Sequence, residues 1–146
     1  PAPIRTQISI AELFTDLKKL FPEEEFQFEV PSPELKLNVD RTQIEQILIN
    51  LLKNAREACS RKSDKKIQVK ARKLSAGNTT LTISDNGEGI LPDVLDKIFV
   101  PFFTTKTSGS GIGLSLCKQI MTLHEGSINV KSEVGKGSSF ILTFPK

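Results

Sequence analysis

A single apolar stripe between Asp40 and Ser60 constrains this chain more than any other feature. Ile44, Ile47, Leu48, Leu51, Ala55 and Ala58 recur at helical spacing, which makes one face of a long helix apolar and the opposite face polar. Asp40 is a good N-cap, and Gln43 three residues later completes the pattern of a capping box. A helix with one apolar face must bury it against a second layer. Period-two alternation supplies that layer as strands at Phe26–Phe28–Val30, Leu35–Leu37–Val39, Ile67–Val69–Ala71, Leu81–Ile83, Ile128–Val130 and Phe140–Leu142–Phe144. Ile8 and Ile10 alternate as one more short strand. Ser9 then caps a helix over Glu12 to Leu20, with Leu13, Leu17, Leu20 and Phe21 on one face. A further helix runs from Leu114 to about Leu123, with Leu114, Leu116, Cys117, Ile120 and Leu123 as its apolar positions, until Gly126 ends it. The pattern predicts an α/β two-layer sandwich: one mixed sheet of about five main strands, with about three helices on one face. At 146 residues the chain suits one domain with a single core.

Charge and cysteine usage exclude several classes of function. The net charge is +3 with acids and bases interspersed, which makes no case for nucleic acid. No apolar run approaches a membrane span, and no signal-peptide pattern opens the chain. Cys59 and Cys117 lie far apart and read as reduced, buried residues of a cytoplasmic domain. One histidine and no cysteine cluster leave nothing for a structural zinc site.

Three stretches carry candidate chemistry. Asp85 closes an alternating run and opens D-N-G-E-G-I. A buried carboxylate there needs a donor, such as the exocyclic amine of adenine, and Gly87 and Gly89 would let a flat ligand approach the backbone. The same residues also suit a plain strand-ending turn. Asn50 and Asn54, four apart, stack beside the apolar stripe of the long helix. Their amide oxygens suit a hard cation such as magnesium, or else bond neighbouring backbone. From Asn86 to Ser110 the chain has one short helical stretch near Asp93 to Ile98, anchoring phenylalanines at Phe99, Phe102 and Phe103, and few other periodic features. Segments of that length are functional or mobile as a rule. Gly109, Gly111 and Gly113 lead into the next helix, where backbone N–H groups favour an anion, and Lys106, Thr104, Thr105, Ser108 and Ser110 stand close in sequence. Glycine spacing alone is equally that of a surface loop.

Three familiar nucleotide schemes do not fit. Gly135–Lys136 is followed by Gly137, so there is no G-x-x-x-x-G-K-S/T loop. Neither H-R-D nor D-F-G occurs, which excludes the Ser/Thr/Tyr protein kinases. The glycines follow a long loop rather than the first strand of a βαβ unit, which excludes a Rossmann fingerprint. The ordered motifs instead resemble the catalytic ATP-binding domain of sensor histidine kinases, in the superfamily shared with gyrase, MutL and the large heat-shock chaperone. Q-I-L-I-N-L-L-K-N-A-R-E-A resembles the N box, D-N-G-E-G-I the first glycine box, I-F-V-P-F-F-T-T-K the F box and G-S-G-I-G-L-S-L the second glycine box. H-E-G-S-I-N-V-K-S-E-V-G-K-G-S-S-F resembles the closing strands, and the F box is most like those of the nitrogen-regulation and sporulation kinases.

The resemblance implies a Bergerat-type sandwich spanning residues 1–146, with a mobile ATP lid over about 86–110. It makes Asp85 the adenine ligand and Asn54 the magnesium ligand, with Asn50 supporting phosphates or metal. Gly87, Gly89 and Ile90 would adjoin the base, and Ser138 would hold a water against it. Phe103, Thr104, Thr105, Lys106, Gly109, Gly111, Gly113 and Leu114 complete the implied ATP site, with Asn50 and Lys106 in the catalytic roles. The implied reaction moves the γ-phosphate of magnesium-bound ATP to a histidine on the dimerisation and phosphotransfer helices of a parent kinase. A response-regulator receiver domain would follow in the relay. His124–Glu125 imitates the family's acceptor pair, but Gly126 ends the helix there and the context fits the H-x-G closing motif. The acceptor helices are therefore expected before Pro1 or on another chain. A gyrase-type ATPase would carry a glutamate base where Asn50 stands, and an amide cannot take a proton from water. An anti-sigma-type serine kinase would lack the full F box, and a degenerate nucleotide-binding module would not keep the motifs intact.

Overall fold

A computed structural model describes residues 2–101, 103 and 113–146. In chain order the elements are β1 (Thr6–Ser9), α1 (Ile10–Leu20), β2 (Phe26–Glu29), β3 (Lys36–Val39), α2 (Arg41–Ala58), β4 (Ile67–Lys73) and β5 (Thr79–Asp85). They continue with α3 (Pro92–Leu95), α4 (Gly113–Leu123), β6 (Ser127–Glu133) and β7 (Gly137–Phe144). Five strands form the main sheet in the order β2-β4-β5-β7-β6. Only β2 and β4 run parallel; the other three pairs are antiparallel. The predicted mixed sheet of five main strands is therefore present. The other two strands, β1 and β3, make a separate antiparallel pair.

The long helix forms as its stripe requires. Asp40 is the N-cap, its Oδ1 accepting from Gln43 N–H at 3.2 Å. Ile44, Ile47, Leu48, Leu51 and Ala55 are buried, Ala58 is half-buried, and Leu52 widens the buried face. That face packs on β4, β5 and β7, while α1 lies against β2 and α4 against β6. On β4, Ile67, Val69 and Ala71 point into the core and Gln68, Lys70 and Arg72 face out, the alternation of a sheet covered on one side. Among the described residues no helix is long and apolar enough to cross a membrane.

Four local expectations change. Ile10 does not continue β1; it opens α1 and is fully buried, because Ser9 is already the N-cap and accepts from Glu12 N–H. On α1, Phe14 is buried and Leu20 is 57% exposed, since the helix turns its face toward Phe28, whose ring lies 5.6 Å from that of Phe14. The short helix α3 spans only Pro92–Leu95. Leu123 is 40% exposed at the end of α4, where Gly126 N–H closes on Met121 O at 2.9 Å.

Leu48 has no solvent exposure, so Leu48→Ala should cost roughly 3 kcal/mol, the scale of a cavity in a packed core. Urea unfolding followed by circular dichroism measures this, with outward-facing Lys70→Ala changing stability by less than about 0.5 kcal/mol.

Candidate functional site

Asp85 is the last residue of β5, opposite Ile67 on β4 and Ser138 on β7. Its Oδ1 accepts from Gly87 N–H at 2.8 Å. Burial pushes the Asp85 carboxyl above the ordinary carboxylate range, and hydrogen bonds from the Gly87 and Ser138 backbones offset part of that rise. Beside it lies an open depression of about 340 Å³ lined by Asp85 and by residues of β6, β7 and the turn between them, among them Ser132, Lys136, Gly137 and Ser138.

The loop after Asp85 is stitched down on both sides. Toward α2, Glu88 N–H donates to Ala58 O at 3.2 Å, and a Cβ on Gly87 would stand 2.5 Å from that same oxygen. Toward the β6–β7 turn, Gly135 N–H donates to Glu88 O, and Ile90 N–H donates to Ser132 Oγ at 2.8 Å. Gly89 has φ +79°, and a Cβ there would strike Glu133 O. The sequence assigns these two glycines to a ligand's approach; a Cβ at either would also meet the chain's own backbone. Close packing of loop on helix and turn is the reason for both.

Asn50, Asn54 and Ala58 fall on one line of α2, each four residues from the next. The Asp85 loop rests on Ala58 at one end of that line. At the other end a Cβ on Gly113, the first residue of α4, would collide with the Asn50 side-chain amide. The paired amides thus lie on the stretch of about 12 Å between the Asp85 loop and the start of α4. Both are half-buried, as are Ile90, Phe103 and Leu114. Ser138 stands beside Asp85 with its hydroxyl 2.8 Å from that of Ser132. Thr104, Thr105, Lys106, Gly109 and Gly111 lie outside the described residues.

Two cations of α2, Arg56 and Lys53, stand apart from this group. Arg56 pairs with Glu23 at 3.0 Å and stacks over the rings of Phe21 and Phe26, at the α1 side of the molecule. Lys53 is exposed.

Two residues not singled out from the sequence prove structural here. Asn86 Oδ1 accepts from Lys66 N–H at 2.9 Å and its Nδ2 donates to Asp64 O at 2.7 Å, which pins the basic loop after α2 to the base of the site. An Asn before Gly at a strand end signals side-chain-to-backbone bonding, and that signal was available. Ser132, which bridges Ile90 and Ser138, has no marker beyond strand alternation. Both cysteines are free and buried, and burial pushes the Cys117 thiol up to about 12, which removes it from nucleophilic chemistry.

The family described as histidine kinase-, DNA gyrase B-, and HSP90-like ATPase matches residues 39–146. Sensor histidine kinase ZraS of Escherichia coli is 42% identical over 113 residues, which cover 77% of this chain and 23% of ZraS. The chain thus spans less than a quarter of that relative's length. The catalytic domain of histidine kinase ThkA superposes with a TM-score of 0.85 at 35% identity, covering 98% of this chain and 96% of the other. ThkA in complex with the response regulator protein TrrA matches with a TM-score of 0.79 at 30% identity, covering 99% of this chain and 42% of that one.

Because burial raises the folded-state pKa of Asp85, the native chain holds its proton to higher pH than the unfolded chain does. Stability then falls as pH rises from about 3.9, the unfolded value, through the raised native value. Asp85→Asn should accordingly be more stable than the unaltered chain at pH 7 and indistinguishable from it near pH 3, as read from urea midpoints at the two pH values.

Proposed function

Because the chain belongs to the histidine kinase-, DNA gyrase B-, and HSP90-like ATPase family, as a histidine-kinase catalytic domain, we propose that it binds magnesium-ATP and transfers the γ-phosphate to a histidine on a phosphoacceptor helix. One observation carries this reading. Asp85, a carboxylate disfavoured by burial, ends the strand whose following loop packs on Ala58, at one end of the α2 line that holds Asn54 and Asn50. The exocyclic amine of adenine is a donor that fits such a carboxylate.

With the base at Asp85, the phosphates run along α2 toward the start of α4. Asn54 would hold magnesium through its amide oxygen, and the ion would supply charge neutralisation at the phosphates. Asn50 backs this end and touches Gly113. Lys106 and the backbone of Gly109, Gly111 and Gly113 take the remaining phosphate charge, with Thr104 and Thr105 as donors. Phosphoryl transfer asks a protein for alignment and charge stabilisation rather than a covalent partner, and these groups would provide those two things. An amide at position 50 cannot accept a proton from water, which favours transfer over hydrolysis.

The acceptor is not His124. That ring is 2% exposed with both nitrogens hydrogen-bonded, so an outside phosphate cannot reach it. The acceptor histidine belongs to dimerisation and phosphotransfer helices of a parent kinase. A response-regulator receiver is the next partner, a reading supported by the ThkA–TrrA complex.

Calorimetric titration with a non-hydrolysable ATP analogue tests the site. Saturable, magnesium-dependent binding is expected, weakened at least about tenfold by Asp85→Asn through loss of a charge-assisted hydrogen bond. Asn54→Ala should bind with little dependence on magnesium. A folded Asp85→Asn chain that binds as tightly as the unaltered one would refute the assignment.

A further inference from the structure

His124 has a job that the nucleotide-site residues do not explain. It follows Leu123, the last residue of α4, and is among the few buried polar side chains described. Its Nε2 lies 3.1 Å from Asp40 N, and its Nδ1 lies 2.9 Å from Ile120 O. A backbone N–H can only donate, so Nε2 is the acceptor and the ring proton sits on Nδ1, donating to Ile120 O. One neutral tautomer therefore satisfies both bonds and ties the end of α4 to the N-cap of α2, 84 residues away. The same N-cap is engaged elsewhere: Asp40 Oδ2 accepts from Ile4 N–H and Oδ1 from Gln43 N–H.

The two helices meet again at the other end, where Gly113 abuts the Asn50 amide. Asn50 is ten positions along the chain from Asp40, and His124 is eleven positions from Gly113. At the rise of an α-helix these spans are about 15 and 16.5 Å, so an antiparallel pair reaches both anchors at once. A slip of α4 by one residue would break the imidazole bond and lift Gly113 from Asn50 together.

We propose that His124 is a positioning residue: by holding the end of α4 to the N-cap of α2, it sets the height of Gly113 and the α4 N-terminus over Asn50, and so tunes the phosphate end of the nucleotide site. The inference rests on the nucleotide-site reading above. Its structural half is independent of that reading.

The test compares His124→Phe, which keeps a ring but removes the acceptor, with His124→Gln, whose amide oxygen can still accept from Asp40 N–H. Amide NMR of the nucleotide-free chain should show the Gly113 and Asn50 side-chain signals displaced in His124→Phe and restored in His124→Gln. Affinity for the ATP analogue should fall about tenfold in the first, on the scale of one lost buried hydrogen bond, and recover in the second. His124→Asn, too short to reach Asp40, serves as a second loss variant if the phenylalanine is not accommodated. Unmoved Gly113 and Asn50 signals, or unchanged affinity with only a lower melting temperature, would overturn the proposal. Loss of the fold in both loss variants would also overturn it, leaving His124 a folding element alone. If the unaltered chain binds no analogue, the nucleotide reading fails, while the amide spectra still decide whether His124 positions α4.

Discussion

Everything in this molecule is built from the seating of α2 on the sheet. Its buried stripe holds Ile44, Ile47, Leu48, Leu51 and Leu52 at 1% exposure or less, which fixes the rotation of the helix about its own axis. That rotation decides where the flanking line Asn50, Asn54, Ala58 points. The Asp85 loop then docks on Ala58 through Gly87 and Glu88, and α4 docks on Asn50 through Gly113. A change that rolled α2 by one residue, about 100°, would bury the asparagines and expose core leucines. The site and the core are therefore one packing solution.

Much of this was legible in the sequence because it rests on periodicity and local capping. The stripe of α2, the Asp40 cap, the β4–β5 hairpin closing at Gly77–Asn78 and the strand-ending position of Asp85 follow from spacing alone. What was not legible depends on partners distant in sequence. That a Cβ on Gly87 or Gly89 would meet the backbone of Ala58 or Glu133 cannot be read from a glycine. Ile10 read as strand by its alternation with Ile8, and the cap at Ser9 places it in α1 instead. The partners of Arg56, Glu23 and the rings of Phe21 and Phe26, lie some thirty residues away in sequence. Likewise the two bonds of His124 span 84 and 4 residues, and only the shorter is a local pattern.

In the role proposed for it, Asp85 sets function against stability in one group. Its carboxylate is held at a strand end where burial raises its pKa, against only partial support from backbone N–H groups. A carboxylate left under-satisfied in the free protein is a cost to the fold. The same deficit gives a ligand donor something to gain, which is how a site preorganised for an amine acquires selectivity. The arrangement of Asn86, which ties the basic loop after α2 to the same base, keeps that strand end from relaxing.

The most direct test of the central claim is a crystal structure of the chain with a non-hydrolysable ATP analogue and magnesium. Two depressions compete for the ligand: the one beside Asp85, and a larger groove of about 600 Å³ between the start of α2 and the far end of α4, lined in part by Ile4, Gln46 and Leu123. The expected result is the adenine amine on Asp85, with the phosphates extending past Asn54 and Asn50 toward Gly113. A nucleotide seated in the larger groove, or one whose base makes no contact with Asp85, would contradict it.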